Sequence, residues 1–356
     1  MNHPMRAGRW LGALALLMLG GCASLEYYAG LVQGQAELLN RARPIPEVLA
    51  DDTVPPSVRA SLAELTEARR FAIDTLGLPE TGSYRDYADL GRPYAVWNVI
   101  AAGRFSVEPR RWCFPVTGCI PYRGYFAAER AQVEAQSLAE QGFDVYVAGA
   151  RAYSTLGWFD DPILNTMLYR DPALRVEILF HEMAHQKLYV PGDGSFNEAF
   201  ATFVAQMGTE RWLQKRGAPA DRIEAYRRRL DQRRAFNALL RHTRERLAAL
   251  YARDLPESAM AADKRRLFEK LQQEYAGWKH TAGTDAWDAW MAQELNNAHL
   301  ALVGTYLDRV PAFGRLLARC ENELPCFYRQ VEKLAQKDPA TRQACLEDSE
   351  CPSETR

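Results

Sequence analysis

Apolar and polar residues recur along this chain with two different periods, and the periods mark out its elements. From Val58 to Leu76 the apolar residues return every three or four positions, which predicts an amphipathic helix broken at Gly77-Leu78-Pro79. Tyr27 to Leu39 shows the same spacing and predicts a helix packed on the domain. Residues 93–110 are rich in β-branched and aromatic side chains around Gly103, predicting two strands joined by a turn. Helical spacing returns over Ala127–Gln141, with Gly142 as its stop, and Phe143–Ala150 alternates like a strand. Ala173 to Leu188 carries the apolar positions of a buried helix, with Asp171 suited to cap it, Pro172 to begin it, and Pro191 and Gly192 to end it. Beyond Phe203 the pattern is almost wholly helical. Two long helices predict a hairpin over about 209–275 that projects from the core. Its Arg and Glu residues at i, i+3 and i+4 read as a solvated face. A further buried helix is predicted over 295–317, with Asn296, Asn297, His299 and Tyr306 as polar groups inside it that need partners. From Cys320 onward the chain is charged and short of apolar runs, which predicts a cap on the fold.

Within the Ala173–Leu188 helix stands His181-Glu182-Met183-Ala184-His185-Gln186, an H-E-x-x-H stretch. Residues four apart on a helix share a face, so His181 and His185 can aim their imidazoles at one point, a preferred half-site for Zn²⁺. Glu182 is then placed to take a proton from a water activated by that metal. A third ligand is required if one tetrahedral position stays open, and Glu198 is the nearest good candidate, on a second helix starting near Ser195. Pro191, Gly192 and Gly194 can turn the chain back between the two helices. Ser195-Phe196-Asn197-Glu198 also has the form of a capping box, in which Glu198 would only bind its own helix terminus.

The combination of HExxH and Asn197-Glu198-Ala199-Phe200-Ala201 resembles the gluzincin pattern of zinc peptidases. More closely, WCFPVTGCIPYRGYF, AYSTLGWF, ILFHEMAHQ and SFNEAFATF, together with the N-terminal Leu-Gly-Gly-Cys, resemble a bacterial lipoprotein family of predicted zinc aminopeptidases over nearly the whole mature chain. The resemblance implies a zincin-like domain, one zinc ion held by His181, His185 and Glu198, and a peptide substrate. It also implies an edge strand upstream of the zinc helix along which a peptide pairs, with Tyr153, Ser154, Thr155 and Gly157 lining the cleft. It implies a downstream tyrosine or histidine that steadies the oxyanion; Tyr306 is the candidate, with Tyr189 and His299 as rivals. The chain lacks the G-x-M-E-N segment with which many gluzincin aminopeptidases hold a free amine, so an envelope endopeptidase stands as the alternative. A zinc-stabilised assembly factor without turnover is the third reading, and Glu182 argues against it.

Arg6 and Arg9 precede the short apolar run Trp10–Leu19, which ends in Leu19-Gly20-Gly21-Cys22. This resembles a signal segment with a lipobox, which implies that residues 1–21 are removed and that Cys22 carries the lipid; an ordinary signal peptide that contains a cysteine is the alternative. The absence of aspartate after Cys22 resembles sorting to the outer membrane, so the expected location is the bacterial cell envelope, anchored and facing the periplasm. Six cysteines remain, in three local pairs with one spacing: Cys113 and Cys119, Cys320 and Cys326, Cys345 and Cys351. Of the fifteen formal connectivities, nearest-neighbour pairing is the simplest in an oxidising compartment. The aromatics Trp112, Phe114, Tyr122, Tyr125 and Phe126 around the first pair line a cleft or fill a core, and Arg123 is the one charge there able to meet a substrate carboxylate. A net charge of −1 gives no basic face for nucleic acid, and 47% apolar residues suffice for a sizeable core. The expected fold is α+β and α-rich, with a small N-terminal sheet and a helical C-terminal part. A metallopeptidase domain is expected over 22–318 and a disulfide-bearing tail over 319–356.

Overall fold

The computed structural model describes residues 25–114, 118–169, 171–303 and 309–347. In chain order it contains α1 (25–40), β1 (Ala42–Pro44), α2 (Ile45–Ala50), α3 (Pro56–Asp74), β2 (Asp86–Ala88), β3 (Val96–Gly103), β4 (Trp112–Phe114), β5 (Gly118–Ile120), β6 (Arg123–Tyr125), α4 (Ala128–Glu140), β7 (Phe143–Ala150) and β8 (Ile163–Leu164). There follow α5 (Pro172–Lys187), α6 (Gly194–Lys215), α7 (Ala220–Tyr251), α8 (Glu257–Ala282), α9 (Asp288–Met291), α10 (Asn297–Leu300), α11 (Val310–Arg319), α12 (Leu324–Ala335) and α13 (Pro339–Glu347). The fold is α+β and α-rich.

The main sheet is antiparallel, in the order β6-β3-β7. Side chains alternate across it. On one face of β3, Val99 and Ala101 meet Ala131, Ala135 and Leu138 of α4. On the other, Ile100 and Ala102 meet Ala298 of α10 and Ala301 just beyond it. Burial on both faces explains why β3 reads as a near-continuous apolar run. Residues 93–110 form one strand rather than two. After Gly103 the chain turns through a Ser106 N–H to Gly103 carbonyl bond, and Pro109 makes a single bridge to Ala102. Val107 is drawn instead into the core between α7 and α8.

A larger core is built by α3, α5, α6 and the three C-terminal helices, with Phe180, Phe196, Phe200, Phe313 and Phe327 fully buried in it. Gly208 lets α6 pass close to its neighbours: a Cβ there would stand 2.6 Å from Leu76 and 3.0 Å from Phe180. The segment after Cys320 is therefore not a surface cap. Its apolar residues repeat at helical spacing over two short helices, and Phe327, Val331 and Leu334 complete this core.

Helices α7 and α8 form the hairpin, which does not project freely: α8 is tied to the sheet by Lys264 and Asp144, and α7 closes on α5. Tyr226 donates to buried Glu177 of α5 at 2.9 Å, and Arg233 pairs with the same carboxylate at 2.7 Å. The stretch 295–317 is not one helix either. Asn296 caps α10, and the Asn297 side chain bonds the carbonyls of Gly103 and Arg104, so the polar residues fix the end of β3 and stop a longer helix. The chain then turns at Ala301–Val303 before the helix at Val310. Disulfides join Cys113 to Cys119 and Cys320 to Cys326. Cys345 is disulfide-bonded, while Cys351 and Cys22 lie outside the described residues. No helix among the described residues is long and apolar enough to cross a membrane.

Candidate metal and catalytic centre

Helix α5 starts as its sequence dictates. The Asp171 carboxylate accepts from the Ala173 N–H at 2.8 Å and Pro172 fills the first turn. The helix carries His181 and His185 on one face. Leu188 leaves helical geometry, and a short loop leads into α6. Asn197 holds that loop: its side chain accepts from the Val190 N–H and donates to the Val190 carbonyl, both at 2.8 Å. Asp193, not Ser195, caps α6, accepting from the Phe196 N–H at 3.0 Å. This removes Glu198 from the capping box and leaves its carboxylate free to turn inward, one residue after the clamp at Asn197.

The result is a tight triangle. His181 Nε2 and His185 Nε2 are 3.1 Å apart, His181 Nε2 is 3.2 Å from Glu198 Oε2, and His185 Nε2 is 3.6 Å from Glu198 Oε1. Ligands about 2.0–2.1 Å from a tetrahedral metal stand about 3.3 Å from one another, so the three edges match such a site. Two neutral imidazole nitrogens at this distance would oppose lone pair to lone pair unless a proton or cation lay between them. Among the described residues, His181, His185 and Glu198 are the group of histidine, cysteine and acidic side chains able to hold a metal ion.

Burial and the close contact of the three groups set their electrostatics. Burial pushes the His185 pKa down to about 4, with the neighbouring His181 adding to the effect. Burial also opposes charge on His181, but the hydrogen bond and charge of Glu198 outweigh it and its pKa is raised. Burial raises Glu198, yet the His181 bond and the two ring charges bring its carboxyl below the usual range. Glu182 is pushed up to about 7 by burial first, with Glu198 and Asp161 adding to it and His181 opposing. A carboxylate tuned toward neutrality is suited to take up and give back a proton.

The adjoining face of α5 is tied to two loops. Gln186, one turn after Glu182, accepts from the Thr81 hydroxyl and donates to Ser83 Oγ, both at 3.0 Å. Ser83 Oγ in turn accepts from the Asp161 N–H at 3.1 Å. Asp161 is buried, and its carboxylate takes bonds from the Ser154 hydroxyl and from the Thr155 N–H and hydroxyl. Ser154 and Thr155 thus stand beyond the end of β7 and brace Asp161. Gly157 forms the turn of the same loop at φ +85°, and Trp158 and Phe159 stand exposed after it. Tyr153 packs edge-on against Phe126. β7 itself is an edge of its sheet, as an extended peptide would need.

The aromatics of the first cysteine loop divide. Tyr125 and Phe126 are core, and Trp112 and Phe114 pack with them. Tyr122 alone comes to the site, where the charges of Glu198 and Glu182 help burial to raise its pKa. Tyr189 is likewise raised by burial and by Glu198. Arg123 is engaged elsewhere: it pairs with Glu134 at 3.2 Å and lies over the Tyr27 ring at 4.0 Å. His299 is not at the triangle. It is stacked on Tyr146 at 4.1 Å and closes the capping box with Asn296. Tyr306 lies outside the described residues. Residues that pattern reading passed over are Asn197, Gln186, Asp161 and Asp193; a buried amide one position before a candidate ligand was the one available signal.

Fold and centre together define an α-rich α+β protein with a two-histidine, one-glutamate cluster and a buried glutamate, Glu182, next to it in the sequence. Residues 26–346 match the model of the family described as "Putative aminopeptidase", and the chain belongs to that family. No curated protein and no solved structure matches it.

Proposed function

We propose that the protein is a zinc-dependent peptidase of gluzincin type, an aminopeptidase by its family, working in the bacterial cell envelope. The observation that carries the reading is the convergence of His181, His185 and Glu198 with Glu182 alongside. One zinc ion held by those three residues would supply Lewis acidity, polarising a peptide carbonyl and acidifying a water. Glu182 accepts the proton of the attacking water and returns it to the leaving nitrogen, a task that suits a carboxyl raised to about 7 by burial. A phenol beside Glu198 donates to the carbonyl oxygen as charge develops there. Tyr122 and Tyr189 are the described phenols so placed, and Tyr306 shares the role as a third candidate. The substrate backbone pairs with the edge of β7 and continues along Tyr153, Ser154, Thr155 and Gly157.

Cys22, lipidated after removal of residues 1–21, anchors the enzyme to the outer membrane facing the periplasm. Cys22→Ser should move it from the membrane to the soluble fraction of the expressing cell; unchanged membrane association would refute the anchor.

The activity test is mass spectrometry of a defined peptide mixture with the lipid-free mature protein, with and without a zinc chelator. Stepwise, chelator-sensitive loss from free N-termini supports the aminopeptidase. Internal cuts would move the assignment to an endopeptidase, the reading favoured by the missing amine-holding motif. No chelator-sensitive cleavage by zinc-loaded protein would sink the peptidase reading.

A further inference from the structure

Helix α1 (25–40) is apolar on two sides, and only one of them packs on the described residues. The inner side carries Tyr27, Leu31, Gly34 and Leu38. Tyr27 is buried, its ring 5.4 Å from Tyr125 and 6.0 Å from Phe114. Leu38 is buried in the cluster that holds Phe126. Gly34 brings the helix so near that a Cβ there would stand 2.2 Å from the Phe126 ring. The helix is thus seated firmly beside β6 of the main sheet.

The outer side carries Leu25, Tyr28, Ala29, Val32 and Ala36, all exposed among the described residues. They recur at i, i+3, i+4, i+7 and i+11, so they form one stripe along the helix. Leu25 is 72% exposed, Val32 71% and Tyr28 43%. A surface helix ordinarily turns polar residues to water and apolar ones to the core. Here both acids of the helix stand off the stripe and meet cations: Glu26 pairs with Arg130 of α4 at 3.3 Å, and Glu37 with Arg41 at 3.1 Å. Single exposed apolar residues are ordinary, but a continuous uncharged stripe marks an interaction surface.

The place of α1 in the chain says what covers it. Leu25 is three residues from Cys22. Three residues span at most about 11 Å, so a lipid on Cys22 holds the first turn of α1 at the bilayer surface. An apolar stripe that starts at that point has the form of a helix lying in the membrane interface. Tyr28, with an apolar ring and a polar tip, suits the headgroup level.

We propose that the outer face of α1 docks on the phospholipid leaflet that holds the anchor. Because Tyr27, Gly34 and Leu38 fix α1 to the sheet, this contact orients the catalytic domain on the membrane and does not leave it on a loose tether. The proposal rests on the lipid anchor for its setting in the cell, but not for the affinity of the stripe for lipid.

The test couples the mature chain through the Cys22 thiol to a maleimide lipid in phosphatidylcholine vesicles. The chemical tether makes the result independent of whether the cell lipidates Cys22. The protein carries Val32→p-benzoylphenylalanine, and lipid adducts are counted by mass spectrometry after illumination. Leu25→Glu and Tyr28→Glu are then added together; both positions face solvent, where substitutions cost little stability. Lipid adducts should form at position 32. The two charges should lower their yield at least about tenfold, the worth of burying one leucine side chain, with the tether unchanged. No lipid adduct would overturn the proposal. So would a yield that stays within about twofold after the charges are added, since the tether alone would then explain the contact. Adducts to a second copy of the chain in place of lipid would also overturn it. Cys22 from expressing cells is analysed separately: an unmodified thiol sinks the anchor reading, while the vesicle yields still decide whether the stripe takes lipid.

Discussion

The C-terminal tail holds the helix that carries Glu198, and Arg342 is where that dependence can be measured. Its guanidinium is 5% exposed and reaches Asp193, the N-cap of α6, at 2.5 Å. It also donates to the carbonyls of Leu334, Ala335 and Lys337, and lies over the Phe196 ring at 5.4 Å. Arg342→Ala strands a carboxylate that is only 16% exposed and leaves three carbonyls short of a donor. Breaking one side of a buried pair costs about 3–5 kcal/mol. Arg309, at 3.5 Å from the same Asp193, remains as a weaker partner, so the lower end, about 3 kcal/mol, is expected. For a chain of this size that is a fall in Tm of about 4 °C. In urea titration the midpoint should fall with the slope unchanged, which separates lost stability from a changed denatured state. Because Asp193 caps α6 and Glu198 sits in the next turn, zinc should also dissociate more readily from the variant. A loss below about 1 kcal/mol would refute the reasoning, since it would mean that Arg309 or solvent satisfies Asp193 without Arg342.

Three further outcomes are expected. Glu198→Ala should fold and lose bound zinc in metal analysis; full metal content would remove Glu198 from the ligand set. Glu182→Gln should keep zinc and lose about a hundred- to ten-thousandfold in kcat, and turnover within a few-fold of wild type would end its assignment as the base. Burial holds His299 at about 4, below its unfolded value, so the unfolded chain binds the extra proton first as pH falls. Its contribution is complete above about pH 6.5 and is lost toward pH 4, at up to about 1.4 kcal/mol per pH unit. His299→Gln should flatten that part of the pH–stability curve, and an unchanged slope would show that the buried ring is not the source.

Many helices and the pairing of His181 with His185 were legible because they rest on local rules. Asp171-Pro172 starts α5, four-residue spacing aligns His181 with His185, and Gly142 at φ +87° stops the chain after α4. Phe143–Ala150 was readable as a strand because Phe143, Val145 and Val147 recur at every second position and do pack on one face. Where local rules compete, tertiary partners decided. Ser195 and Asp193 both offer a cap to α6, and Asp193 prevails where Arg342, more than a hundred residues away, pairs with its other oxygen. Asn296 and Asn297 look like polar residues inside a helix until β3 and β7 supply the carbonyls that they bond.

By itself, then, the sequence determined the helical content, the HExxH face and the ligand candidates, since periodicity and caps act over a few residues. Only the tertiary structure decided that Glu198 faces the histidines and that Tyr122 alone of five aromatics feels the charges of Glu198 and Glu182. Each of those depends on contacts between segments far apart in the chain, and no local spacing encodes them.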